Sequence, residues 1–183
     1  IQYLYARSFF PHIKMNPSCE TAFNYFKNQS EKYWAKRNIY LQGMIALTLQ
    51  RYGNNNIPPL IVKSLKERSL KNEEMGMYWR HESGYYWYQA PLESQAMMIA
   101  VFDEVADEKE AVEMMKIWLL KQKQTQDWKS TRATVDAIYA LMKKGKDLLA
   151  EPEKVKIEVN GKELLMNEVG KREAGTGYFQ KTW

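Results

Sequence analysis

Ile117-Trp-Leu-Leu-Lys-Gln-Lys-Gln-Thr-Gln-Asp-Trp128-Lys-Ser130-Thr-Arg-Ala-Thr-Val-Asp-Ala-Ile-Tyr-Ala-Leu-Met142 is the stretch on which the reading of the chain turns. Trp118 and Leu119 end one apolar segment, and a polar run follows that Trp128 closes. Ser130 or Thr131 then offers a side-chain oxygen to the orphan N–H groups of a starting helix. Val135, Ile138, Leu141 and Met142 supply the next apolar stripe at helical spacing. The stretch predicts two helices joined by a tight polar turn.

The same texture extends upstream. Ile1 to Phe10 reads as a helix that Pro11 stops. Cys19 to about Lys36 is helical, with Phe23, Tyr25, Phe26, Tyr33 and Trp34 at near-helical intervals. Asn38 to Tyr52 forms the next helix, ended by Gly53 and three asparagines. Pro58 and Pro59 open a helix to about Leu70, where proline costs little. Asn72 to Ala90 is aromatic and glycine-punctuated, so it is expected to be extended or looped. Pro91 to about Ala106, Glu108 to Lys123 and Thr131 to Lys144 complete the helices. Helix pairs recur every ~40–50 residues, the spacing of helical arrays. Small residues such as Ala96, Ala100, Ala133 and Ala137 let neighbouring helices approach closely. Consecutive pairs of this kind build either a solenoid or a closed α/α toroid, so the expected class is mainly α, an array of helical hairpins over residues 1–150.

After Pro152 the period changes from 3.6 to 2. Val155, Ile157 and Val159 alternate with polar residues, and Asn160-Gly161 favours a two-residue type I′ turn. Residues 151–183 are therefore read as the start of a β-region, with a hairpin and a further strand near Gly177 to Trp183. An isolated hairpin is marginal in water, so this part is expected to be the less stable one.

The chain has 183 residues, 45% hydrophobic and 13% aromatic, which suits a folded domain with a sizeable core. A net charge of +5 is spread over lysines such as Lys63, Lys66, Lys71, Lys143, Lys144 and Lys146. No dense basic run stands beside aromatics, so nucleic-acid binding is not expected. No stretch has the roughly 18 apolar residues of a membrane helix. One cysteine, Cys19, excludes an intrachain disulfide framework. Both ends fall within what reads as regular structure, so the chain is expected to be a fragment of a larger protein.

Three segments carry a family likeness: Tyr3-Leu4-Tyr5-Ala6-Arg7-Ser8, Leu92-Glu93-Ser94-Gln95-Ala96, and Trp118-Leu119-Leu120-Lys121-Gln122 running to Trp128-Lys129-Ser130-Thr131-Arg132-Ala133-Thr134. Together they resemble the thioester-domain toroid of the α2-macroglobulin family, and more narrowly its large exported bacterial members. The likeness implies an α/α toroid, of which residues 1–150 form a part, followed by a β-sandwich-type domain that starts in residues 151–183, as the change after Pro152 suits. It also implies an endopeptidase inhibitor that traps proteases after bait cleavage. Such a protein is periplasmic, cell-surface or extracellular, and its partners are target proteases and neighbouring domains of the same chain. The family thioester joins a cysteine to a glutamine in Cys-Gly-Glu-Gln. Here Cys19 is followed by Glu20, Thr21 and Ala22, so it does not match. The likeness carries over a fold and a trapping role with no catalytic residue, no metal and no cofactor.

Other residues have side chains capable of chemistry. Cys19 lacks a signature that joins it to His12 or His81, as a nucleophile would require. Asp103-Glu104-Val105-Ala106-Asp107 could hold a hard cation through oxygen, but lacks an opposing acidic cluster and is read as a solvated helix end. Asn28-Gln29-Ser30 fits a glycosylation pattern that also arises by chance. The set of most interest is Trp79, His81, Glu82, Tyr86, Trp87 and Glu93, joined by Tyr85 and Tyr88. Carboxylates flanked by aromatic platforms are how glycan-cleaving α/α toroids work, and a carbohydrate-active hydrolase or lyase is the competing reading. Packing of the loop end explains the aromatics, and helix capping explains Glu93 and Gln95.

Overall fold

The computed structural model of the chain describes residues 1–80, 90–125, 128 and 130–142, together with strands at 157–159 and 162–164. The chain divides into two compact units, Ile1–Gly145 and Lys146–Trp183.

The first unit is mainly α. Its elements are α1 (Gln2–Ser8), α2 (Pro17–Tyr33) with a 3₁₀ turn (Trp34–Lys36), α3 (Ile39–Arg51) and α4 (Ile57–Glu67). A short hairpin, β1 (Leu70–Asn72) and β2 (Gly76–Tyr78), comes next. It is followed by α5 (Pro91–Val101), a π turn (Phe102–Ala106), α6 (Lys109–Thr125) and α7 (Thr131–Met142). The odd-numbered helices stand side by side, α1 against α3, α3 against α5 and α5 against α7. The even-numbered helices pack on that row: α4 on α3, and α6 on α5 and β2. This alternation is the two-layer arrangement of an α/α toroid.

Local chemistry sets the boundaries. The Asn16 and Asn38 side chains accept N–H bonds from Ser18 (3.1 Å) and Leu41 (2.9 Å), capping α2 and α3. At the end of α3, Gly53 has φ +77°. Its N–H reaches Gln50 O at 3.0 Å, and Asn54 N–H reaches Leu49 O at 2.9 Å. That pairing is a Schellman stop. Asn54 Oδ1 then accepts from Asn56 and Ile57 N–H, starting α4. At the head of α7, Ser130 Oγ accepts from Ala133 N–H at 3.0 Å, so Ser130 is the cap.

Residues 42–49 of α3 and 94–101 of α5 are buried without a break. A helix buried on all sides belongs at the centre of a core, and these two form the middle of the row. Gly43 lets them cross closely: a Cβ there would stand 2.6 Å from Met97 Cγ.

The structure differs from the sequence reading in several places. The helix expected to run to about Leu70 ends at Glu67, and Leu70–Asn72 instead pairs antiparallel with Gly76–Tyr78, inside the segment expected to be extended or looped. The helix from Pro91 ends at Val101, and a π turn with Asp107 at φ +49° carries the chain to α6. The apolar stripe assigned to α7 is not its buried face. Val135 is 58% and Met142 63% exposed, and Ile138 is also exposed, while Ala133, Ala137 and Ala140 are buried. Close approach of α5 and α7 admits only the alanine face.

In the second unit the described strands are β3 (Ile157–Val159) and β4 (Lys162–Leu164), antiparallel, with Val159 opposite Lys162. That register is the one a two-residue turn requires. Asn160, Gly161 and the strand expected near 177–183 lie outside the described residues.

Candidate functional site

Four odd-numbered helices surround a hollow of about 230 Å³ on the exposed side of their row. Its floor exists because α5 carries Ala96 and Ala100 one turn apart, with the Met44 and Met97 side chains beside them. Tyr5 of α1, Tyr40 of α3 and Tyr139 of α7 form phenol walls. The ionisable rim is Glu93, Arg132 and Asp136.

The rim is partly tied together. Arg132 Nη2 donates to the Tyr40 hydroxyl at 2.9 Å, and Arg132 Nε lies 3.7 Å from Asp136 Oδ2. Burial raises the Asp136 carboxyl above the usual aspartate value, with Arg132 pulling the other way. Burial also raises Tyr40, again opposed by Arg132. The Tyr5 phenol is pushed up to about 12, chiefly by burial, against the pull of Arg51. Glu93 sits in the first turn of α5, where the helix dipole favours an acid. Among the described residues its carboxylate has no hydrogen-bond or ion-pair partner.

Beside the hollow, Arg51 forms a second charged node. Its guanidinium meets both Glu104 oxygens, donates to Ser8 Oγ at 3.1 Å and lies 4.1 Å from the centre of the Phe9 ring. Glu104, one of the acids of the Asp103–Asp107 run, is thereby an ion-pair partner. No group of three or more possible metal-binding side chains occurs among the described residues.

The expected surface set separates. Trp79 is a correction: it is 2% exposed, its Nε1–H donates to Leu65 O at 2.9 Å, and its ring lies against Phe102. This bond to a carbonyl near the end of α4 holds the indole inward, so it offers no platform at the surface. Glu93 does reach a concave surface, on the rim of the hollow. His81, Glu82, Tyr85, Tyr86, Trp87 and Tyr88 lie outside the described residues. Cys19 is exposed near the start of α2, next to the Ser18 hydroxyl. Asn28 and Ser30 lie within α2, and Ser30 Oγ donates to Phe26 O.

Sequence reading missed Arg132, Asp136, Tyr5, Tyr40 and Tyr139 as a group. The Arg132/Asp136 spacing of four was visible as an ion pair on one helix face. Nothing local in the sequence brings Tyr5 and Tyr40 to it.

Gln95, expected to serve in helix capping, makes no cap to α5. It is fully buried, and its Nε2 donates to Met77 O at 2.7 Å and Met115 O at 3.2 Å, tying β2 to α6 through α5. Its role is to hold the hairpin.

The class defined by this architecture is a mainly α domain of helical hairpins in two layers. The family model of the A-macroglobulin TED domain matches residues 3–143, and the chain belongs to that family. Comparisons with curated proteins and with solved structures give no match.

Proposed function

We propose that this chain is a structural part of an exported α2-macroglobulin-like endopeptidase inhibitor, of the kind found in bacteria, which traps proteases after its bait is cut. The helical unit acts as a rigid block in that rearrangement and does no bond-making itself. The observation that carries the reading is the TED-domain match across residues 3–143. Two further features support it. Cys19 lacks the glutamine partner of a thioester sequence, and the buried centre of α3 and α5 suits a body that moves as a unit. Residues 151–183 are then the beginning of the β-domain that follows, with partners among neighbouring domains and the captured protease.

The test uses the whole protein that contains this domain. It is incubated with a broad-specificity protease, and cleavage of a large protein substrate and a small peptide is followed in parallel. Loss of large-substrate cleavage with small-peptide cleavage intact is the expected result, because a caged protease keeps its active site. Equal cleavage of both across a panel of proteases overturns the reading.

A further inference from the structure

A block that only moves with its neighbours has no need of the hollow on the odd-helix row. The hollow also has a definite charge. Arg51 and Glu104 cancel behind the Tyr5 ring, whose centroid lies 5.5 Å from the guanidinium carbon. Arg132 and Asp136 cancel on the rim. Glu93 is left over, a carboxylate without a partner among the described residues and facing an apolar floor. One uncompensated negative charge, tyrosines from three helices and an alanine and methionine floor suit a positively charged group on an aliphatic stem. Aromatic faces attract ammonium groups through the ring quadrupole. A long amine also lays its methylenes on apolar surface while its head stays polar. An anion fits poorly: Arg132 is already engaged with Tyr40 and Asp136, and Glu93 would repel it.

We propose that this hollow binds an alkylammonium group, its nitrogen at Glu93 among the Tyr5, Tyr40 and Tyr139 rings and its stem on Ala96 and Ala100. The group comes either from a free amine or from a lysine side chain of a partner polypeptide. The site goes beyond the trapping role and does not depend on it, since its test contains no protease.

The full chain is labelled at the methionine methyl groups, because Met44 and Met97 line the hollow. It is titrated with Nα-acetyl-lysine methylamide, with cadaverine, with a lysine-containing peptide, and with the uncharged norleucine analogue. The lysine derivative is expected to shift the Met44 and Met97 signals saturably, and the norleucine analogue to leave them unmoved. Glu93→Gln should weaken binding by about tenfold, as for loss of a charge-assisted contact. Ala100→Leu, which fills the floor, should abolish it. Peptide binding far tighter than cadaverine identifies a polypeptide lysine, and equal binding identifies a free amine. The proposal is overturned if norleucine shifts the signals as lysine does, if acetate competes better than the amines, or if Glu93→Gln binds like the unaltered chain. Circular dichroism of both variants separates lost binding from lost folding.

Discussion

Arg51 meets Glu104 through both carboxylate oxygens, with Nη2 at 3.0 Å from Oε1 and 2.8 Å from Oε2, and Nε at 3.0 Å from Oε2. The two residues are 53 apart in sequence. The pair ties the end of α3 to the π turn after α5, and the same guanidinium holds α1 through Ser8 and Phe9. Both side chains are mostly covered, at 17% and 27% exposure, so solvent screens them less than a surface pair. Replacing Arg51 by Met leaves Glu104 without its fork. It is expected to cost about 2 kcal/mol, the range for hydrogen bonds to charged groups. Urea unfolding of Arg51→Met, Glu104→Gln and the double variant forms a cycle that isolates the pair. Strict additivity of the two losses would show that the contact contributes nothing.

Gly76 and Gly53 both adopt positive φ, at +76° and +77°, but their surroundings differ. A Cβ on Gly53 meets nothing within 4 Å, whereas one on Gly76 would run into the backbone carbonyl of Met114. Gly53→Ala therefore carries only left-handed strain, about 1 kcal/mol. Gly76→Ala adds a clash with helix backbone that cannot rotate away. Its loss is expected to exceed that of Gly53→Ala by ~2 kcal/mol, in the range for overpacking. Denaturation midpoints of the two variants decide it. Equal losses would mean that the hairpin does not press against α6.

These two positions also mark how far the sequence could be read. Capping and stop residues are local, so Asn16, Asn38, Gly53 and Ser130 announce their helices within a turn or two. Burial is not local. Val135, Ile138 and Met142 are apolar enough to suggest a core face, yet the packed face is Ala133, Ala137 and Ala140. Hydrophobicity alone rewards size, whereas the close approach of α5 and α7 rewards its absence. Trp79 misled for a similar reason: an aromatic among aromatics suggests a surface platform, but its indole hydrogen bond to Leu65 O depends on where α4 ends. The π turn at Phe102–Ala106 leaves no compositional mark. The hollow joins residues as distant as Tyr5 and Tyr139, so only the laying of four helices side by side creates it.

Gln95 presents a different kind of constraint. Its Nε2 gives both protons to the Met77 and Met115 carbonyls, while Oε1, buried, has no partner among the described residues. Gln95→Glu would set a carboxylate against two carbonyl oxygens with nothing to donate to them. It is expected to destabilise more than Gln95→Leu, which removes two hydrogen bonds at about 1 kcal/mol each but buries no charge. The ordering Glu worse than Leu should be clear at neutral pH and narrow as acid protonates the introduced carboxyl. A Glu variant as stable as the Leu variant at neutral pH would place this side chain in water instead of in the core.

Tyr5 links the hollow to alkaline stability. Burial raises its phenol from 10.0 to about 12. Tyr40, Glu104 and Tyr139 add to the rise, and Arg51 opposes it. The folded chain thus holds this proton more tightly than the unfolded chain does. The stabilisation is complete below pH 10, declines as the unfolded phenol ionises, and is gone once pH passes about 12. Tyr5→Phe has no proton to lose, so its melting temperature should fall less steeply than that of the unaltered chain over this interval. Tyr40 and Tyr52 are raised as well and remain in the variant, so a reduced slope is expected, not a flat one. Phenolate absorbance on the folded chain gives the complementary readout: Tyr5→Phe should delete a step at the alkaline end of the titration. An unchanged slope together with an unchanged alkaline step would place the Tyr5 hydroxyl in solvent, and the wall it forms for the hollow would have to open on that side.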